Sequence, residues 1–146
     1  MSIFYLPCTL AYVRNGHLEL LPYFETNRFQ EVWGIQYGTL IYKLTHETVD
    51  EHDLAEDLAR RTIVDGVPAL VPHSYHLQSL YAQRHELAGV LDMLRRYGVQ
   101  AEDWQGYYLT FNPHVLFSFG DGDVSVMSVR RPGRVRLALP VSHWLQ

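Results

Sequence analysis

One cysteine, Cys8, and one lysine, Lys43, stand in a chain of 146 residues. A lone thiol excludes an internal disulfide framework and any zinc ribbon built on cysteines. No apolar run approaches the ~18 residues that a membrane-spanning helix requires. The opening Met-Ser-Ile-Phe-Tyr has no basic stretch ahead of an apolar one, so no secretory signal is expected. These absences point to a reducing, cytoplasmic setting and to no membrane partner. The phosphate-cradling patterns Gly-x-x-x-x-Gly-Lys and Gly-x-Gly-x-x-Gly are missing, as are a Gly-x-Ser-x-Gly elbow and a His-Glu-x-x-His zinc helix. No cofactor is expected.

What is present is a core-forming composition. With 47% hydrophobic and 19% charged residues, the chain can bury a proper interior, which excludes wholesale disorder. Its length suits one α+β domain over residues 1–146. Aromatics reach 13%, with ten Tyr, and Arg accounts for eleven of the twelve basic residues. Tyr, Trp and Arg are the residues enriched at buried interface centres. Aromatics also fill β-rich cores, and a GC-rich genome favours Arg codons over Lys codons.

Ile3–Arg14 reads as a strand, with Pro7 demanding an edge position or a bulge because it cannot donate to the ladder. Asn15-Gly16 then predicts a tight hairpin into His17–Phe24. Glu25–Gly34 suits either a short helix or an extended loop, and Ile35–Leu44 reads as a third strand. Asp50 is a good N-cap for a helix over 51–64, supported by the i,i+4 pairs Glu56/Arg60 and Asp57/Arg61 and stopped by Gly66 and Pro68. A second helix over 74–97, ended by Gly98, carries Leu77, Leu80, Tyr81, Leu87, Ala88, Leu91 and Leu94 on one apolar stripe. Tyr107–Phe111, Val115–Phe119, Val124–Val129 and Arg134–Leu139 then read as a four-stranded antiparallel meander. The expected fold is α+β: an antiparallel sheet, from the N-terminal hairpin plus third strand and the C-terminal meander, packed against two central helices. The terminal segments can share one sheet.

Arg130, Arg131, Arg134 and Arg136 fall within seven positions, and no acid follows Asp123. On one strand, Arg134 and Arg136 would share a face. Such like charges need an anionic counterpart, either an acidic partner or the chain's own run of six acids between Glu47 and Asp57. The four arginines are therefore candidates for partner binding. Duplex nucleic acid is a poor match for a formal charge of −4. After Gly98, moreover, only Gln100–Gln105 remain before the next strand, too few for a recognition helix.

Among the eight histidines, His73 and His76 lie three apart, but two ligands do not make a zinc site, and His85 would face away on a continuous helix. No metal is expected. Gly120-Asp121-Gly122-Asp123 lacks the distant Glu of a calcium loop and reads as a turn. Cys8 sits among apolar residues, as a buried small hydrophobe does. Arg84 falls in the apolar stripe of the second helix, and Arg95 projects toward it; each requires a partner or a stem laid along the core.

The composition favours a small non-enzymatic protein that binds another macromolecule, of the inhibitor, immunity or adaptor type in which toxin-neutralising and phage-encoded proteins fall. A protein partner is expected. The alternative is a small transferase or hydrolase acting on an anionic ligand at a site assembled from dispersed residues, with Arg84 or the terminal arginines holding the anion and His73 or His76 as acid–base.

Overall fold

The computed structural model describes residues 2–45, 47–49, 63–64, 67–68, 70–105, 107–110, 115–119, 124–126 and 133–141. Along the chain the strands are β1 (Ile3–Arg14), β2 (His17–Glu25), β3 (Val32–Tyr37), β4 (Leu40–Lys43), β5 (Glu47–Val49), β6 (Ile63–Val64) and β7 (Val67–Pro68). Two helices follow, α1 (Ser74–Ala82) and α2 (Arg84–Arg96). The remaining strands are β8 (Tyr107–Leu109), β9 (Val115–Ser118), β10 (Val124–Val126), β11 (Gly133–Val135) and β12 (Ala138–Pro140). This is an α+β protein. The chain divides into two compact units, one of Met1–Thr45, Arg84–Asp103 and Leu139–Gln146, the other of His46–Gln83 and Trp104–Ala138.

The first unit is built on a five-stranded sheet of order β12-β4-β3-β1-β2. Asn15 and Gly16 both take positive φ, +52° and +77°, as the two-residue hairpin turn requires, and Arg14 pairs with His17. The bulge expected of Pro7 is present: the β1–β2 register shifts between Tyr5 and Leu10. A short 3-10 helix, Thr26–Glu31, fills the stretch that suited either helix or loop. The single third strand expected over 35–44 is instead two strands, β3 and β4, folded back at Gly38, whose φ of +60° suits a tight reverse turn. At the far end, β12 brings the C-terminal strand into the same sheet as the N-terminal ones.

The continuous helix expected over 74–97 is broken. Gln83, at φ −108° and ψ +20°, ends α1 and a new helix starts at Arg84. The break resets the phase of the apolar stripe. Leu87, Val90, Leu91 and Leu94 are the buried positions of α2, at i, i+3, i+4 and i+7, whereas Arg84 and Ala88 are exposed. Arg84 therefore does not lie in a buried stripe. Gly98, at φ +85°, closes α2 with a Schellman motif in which Val99 N–H reaches Leu94 C=O and Gly98 N–H reaches Arg95 C=O.

The second unit contains a five-stranded sheet of order β10-β9-β8-β11-β5 and the small antiparallel pair β6–β7. β8, β9 and β10 form the expected meander. The fourth strand departs from it. β11 lies parallel to β8 and antiparallel to β5, and the strand expected over 134–139 splits, with Ala138–Pro140 joining the first sheet. Val135 to Leu139 are all buried, so the alternation of Arg and apolar residues there does not mark an inside and an outside face. Residues 51–62 of the expected first helix lie outside the described residues, and Ile63–Val64, placed at its end, are a strand pairing with Val67–Pro68.

Candidate functional site

Of the four arginines, Arg136 alone is placed with its side chain among the described residues. Arg130 and Arg131 lie outside them, and Arg134 is placed by main chain alone, opposite Thr48 and Tyr108. Arg136 lies beyond the end of β11 and is 0% exposed, its guanidinium 3.7 Å from the Trp104 ring centroid and 5.4 Å from that of Tyr108. Phe119 packs against both rings and against Tyr81. Arg136 is a core residue in an aromatic setting, which corrects the expectation that it shares a solvent-facing surface with Arg134.

His73 and His76 do come together. His73 N-caps α1, its side chain accepting from the His76 N–H, while His76 Nδ1 accepts the His73 N–H at 3.3 Å. Tyr75 stacks on His73 with its ring centroid 5.3 Å away. Burial first, and the neighbouring His73 second, hold the His76 imidazole below its usual range. Both rings are thus engaged in starting a helix. Arg84, the proposed anion holder, belongs to the other compact unit. Arg95 donates to the Ala101 carbonyl at 2.7 Å and pairs with Asp92 and Asp103, holding the segment after α2 with its head at the rim. Among the described residues, no three His, Cys, Asp or Glu side chains converge to hold a metal, and no helix is long and apolar enough to cross a membrane.

The arrangement that stands out as a surface is the first half of β1. Pro7 and the bulge separate Ile3–Tyr5 from the rest of the strand, and β3 first pairs with β1 at Thr9. Ile3, Phe4 and Tyr5 therefore have β2 on one side and no strand on the other among the described residues. They are 42%, 36% and 78% exposed. Three consecutive large apolar side chains in solvent are costly to leave uncovered. Strand alternation sends them to both faces. Phe4 pairs with Phe24, and both rings lie 5.4 Å from that of Tyr97, just beyond α2. On the other face, Tyr5 pairs with Tyr23, the rings 5.7 Å apart and edge-on, and Ile3 pairs with Glu25.

The second of these faces is acidic. Arg28, on the 3-10 helix, reaches Glu19 at 2.9 Å, Glu31 at 2.9 Å and Glu25 at 3.3 Å, and lies 5.0 Å from the Tyr12 ring centroid. The hydrogen bonds it donates to Glu31 and Glu19 raise the guanidinium pKa further. Three carboxylates around one cation leave two negative charges in excess. Tyr23 feels them: desolvation, then Glu25 and Glu19, hold its phenol above the usual range. Tyr12 fixes the local frame, its hydroxyl donating to the Tyr23 carbonyl at 3.2 Å and accepting the Glu25 N–H at 2.9 Å.

Sequence reasoning did not single out Ile3–Tyr5, since an apolar run at the start of a strand reads as core. The available signal was Pro7, which breaks the ladder and leaves the residues before it beyond the end of β3. No family model, no curated protein and no solved structure matches this chain.

Proposed function

We propose that this chain acts by binding another macromolecule, as a small non-enzymatic inhibitor, immunity or adaptor protein, and that a protein partner docks on the first half of β1. The observation that carries this reading is the row Ile3–Phe4–Tyr5, exposed on a strand with Tyr97 and Tyr23 beside it. Tyr-rich apolar patches with a polar rim have the composition of interface centres. The neighbouring glutamates disfavour a phosphate backbone, so nucleic acid is a poor match for this surface.

The test is capture from source cells with the wild-type chain and with a Phe4→Asp/Tyr5→Asp variant, followed by calorimetry on the purified partner. A partner that binds the wild type directly, and whose affinity falls at least tenfold with the variant at unchanged melting temperature, supports the reading. Equal binding by both proteins sinks it.

A further inference from the structure

We infer that the open edge of β1 receives, by strand addition, an extended segment of a partner protein in which basic and apolar residues alternate. This rests on the binding reading above and specifies the occupant. The main chain supplies the first argument. Thr26 N–H donates to the Ser2 carbonyl at 3.1 Å, so Ser2 and Thr26 are a hydrogen-bonded pair. Two residues on, Phe4 likewise turns its amide and carbonyl toward Phe24, and Ile3 and Tyr5 turn theirs away from β2. Those outward groups meet no strand among the described residues. A row of unpaired N–H and C=O groups is a template for another strand.

The outer edge of β2 is treated differently. There Tyr23 and Glu25 turn their main chain away from β1, and the Tyr12 hydroxyl takes up the Tyr23 carbonyl and the Glu25 amide. Pro22 has no N–H to offer at all. Among the described residues, one edge is closed by side chains and the other is left open.

Side-chain chemistry supplies the second argument. A strand added beside Ile3–Tyr5 sends alternate residues to opposite faces. On one face they meet the Tyr5–Tyr23 corner, with Glu25 and Glu19 close by. Two aromatic walls beside carboxylates suit a guanidinium or ammonium group. On the other face they meet Phe4 and Tyr97, which suit an apolar side chain. A second copy of this chain is the poorer match, because its own exposed edge carries Ile3, Phe4 and Tyr5 with Glu25 on the strand beside it, and an overall charge of −4 rather than cations.

The experiment is fluorescence anisotropy with three labelled peptides: alternating Val and Arg, alternating Val and Glu, and the Val/Arg peptide N-methylated on its backbone. The Val/Arg peptide is expected to bind at least tenfold more tightly than either control, and more weakly as salt is raised. Tyr5→Pro removes an outward N–H without touching the ladder to β2, and should weaken binding at least tenfold. If that variant fails to fold, Tyr5→Ala tests the aromatic wall and should weaken the Val/Arg peptide at least fivefold. Equal binding of the Val/Arg and Val/Glu peptides overturns the inference, as does indifference to backbone methylation. A self-association abolished by Tyr5→Pro also overturns it and makes a second copy the occupant. Should a captured protein depend on Phe4 and Tyr5 while the Val/Arg peptide does not bind, this inference falls and the binding reading stands.

Discussion

The Arg136 guanidinium lies over the Trp104 ring in the second unit's aromatic core, 3.7 Å from the ring centroid, with no part of the residue exposed. A planar, delocalised cation can stack in this way where a lysine ammonium cannot. Desolvated cation–π contacts are worth about 2 kcal/mol, and deleting the stem also leaves a cavity. Arg136→Ala should therefore cost more than about 2 kcal/mol in urea melts. Arg136→Lys should recover little of it. Arg96, exposed near the end of α2, is the control, and its replacement by Ala should stay within about 0.5 kcal/mol. An Arg136→Ala protein as stable as the Arg96 variant would remove Arg136 from the core.

What the sequence could and could not convey about this fold follows from the range of the interactions. The hairpin at Asn15-Gly16 and the stop at Gly98 were legible because positive φ is a local demand that few residues meet. Pro7 announced its bulge for the same reason. Leu91 and Leu94 were legible as core because they continue from Leu87 at the four- and three-residue steps of one helix face. The break at Gln83 was not, since neither Gly nor Pro marks it. Arg136 was misread because its alternation with Val135 and Leu137 mimics a half-buried strand, while its burial depends on Trp104 and Tyr108, far away in sequence. The parallel pairing of β11 with β8 is likewise non-local. Of the candidate site, Tyr5 and Phe4 were visible as residue types, but their exposure follows from where β3 ends.

Two glycines should respond to alanine with opposite signs. At Gly34, paired with Lys43 across β3 and β4, a Cβ would run into the Tyr42 carbonyl, a main-chain group with little room to yield. Gly34→Ala should destabilise by about 2 kcal/mol or more. Gly89 lies within α2 with nothing inside 4 Å of an added Cβ. There alanine only improves helix propensity, so Gly89→Ala should stabilise by about 0.5–1 kcal/mol. Denaturant midpoints for the two variants that move in the same direction would contradict this packing.

Cys8 lies in the bulge of β1, and burial pushes its thiol pKa up to about 11 even though the Tyr37 hydroxyl beside it acts in the opposite direction. The thiolate is the reactive form. At pH 8 the folded protein should hold roughly a hundredfold less thiolate than the unfolded chain, from the two-unit difference in pKa. Ellman's reagent should consequently label Cys8 about a hundredfold more slowly in the native state than in denaturant, on the same difference in thiolate. Comparable rates would show that the bulge leaves the sulfur open.

The histidine cap of α1 makes a pH prediction whose sign is fixed by hydrogen bonding. His76 Nδ1 accepts the His73 N–H, so that nitrogen must be free of a proton. Protonation would replace an acceptor with a donor and place positive charge at the N-terminus of a helix, where the dipole opposes it. Burial and the proximity of His73 both depress the folded pKa of His76 below its usual 6.5. The unfolded chain then binds more protons in the window below that value, and linkage requires stability to fall there. The contribution of the cap is complete above pH 6.5 and is lost as the pH drops from there through the folded value. Thermal melts at pH 7.5 and 5.5 should show this loss in the wild type. His76→Gln keeps a side-chain acceptor that does not titrate, so the difference between the two pH values should shrink. A wild type and a His76→Gln variant with identical pH profiles would mean that this ring does not govern the start of α1.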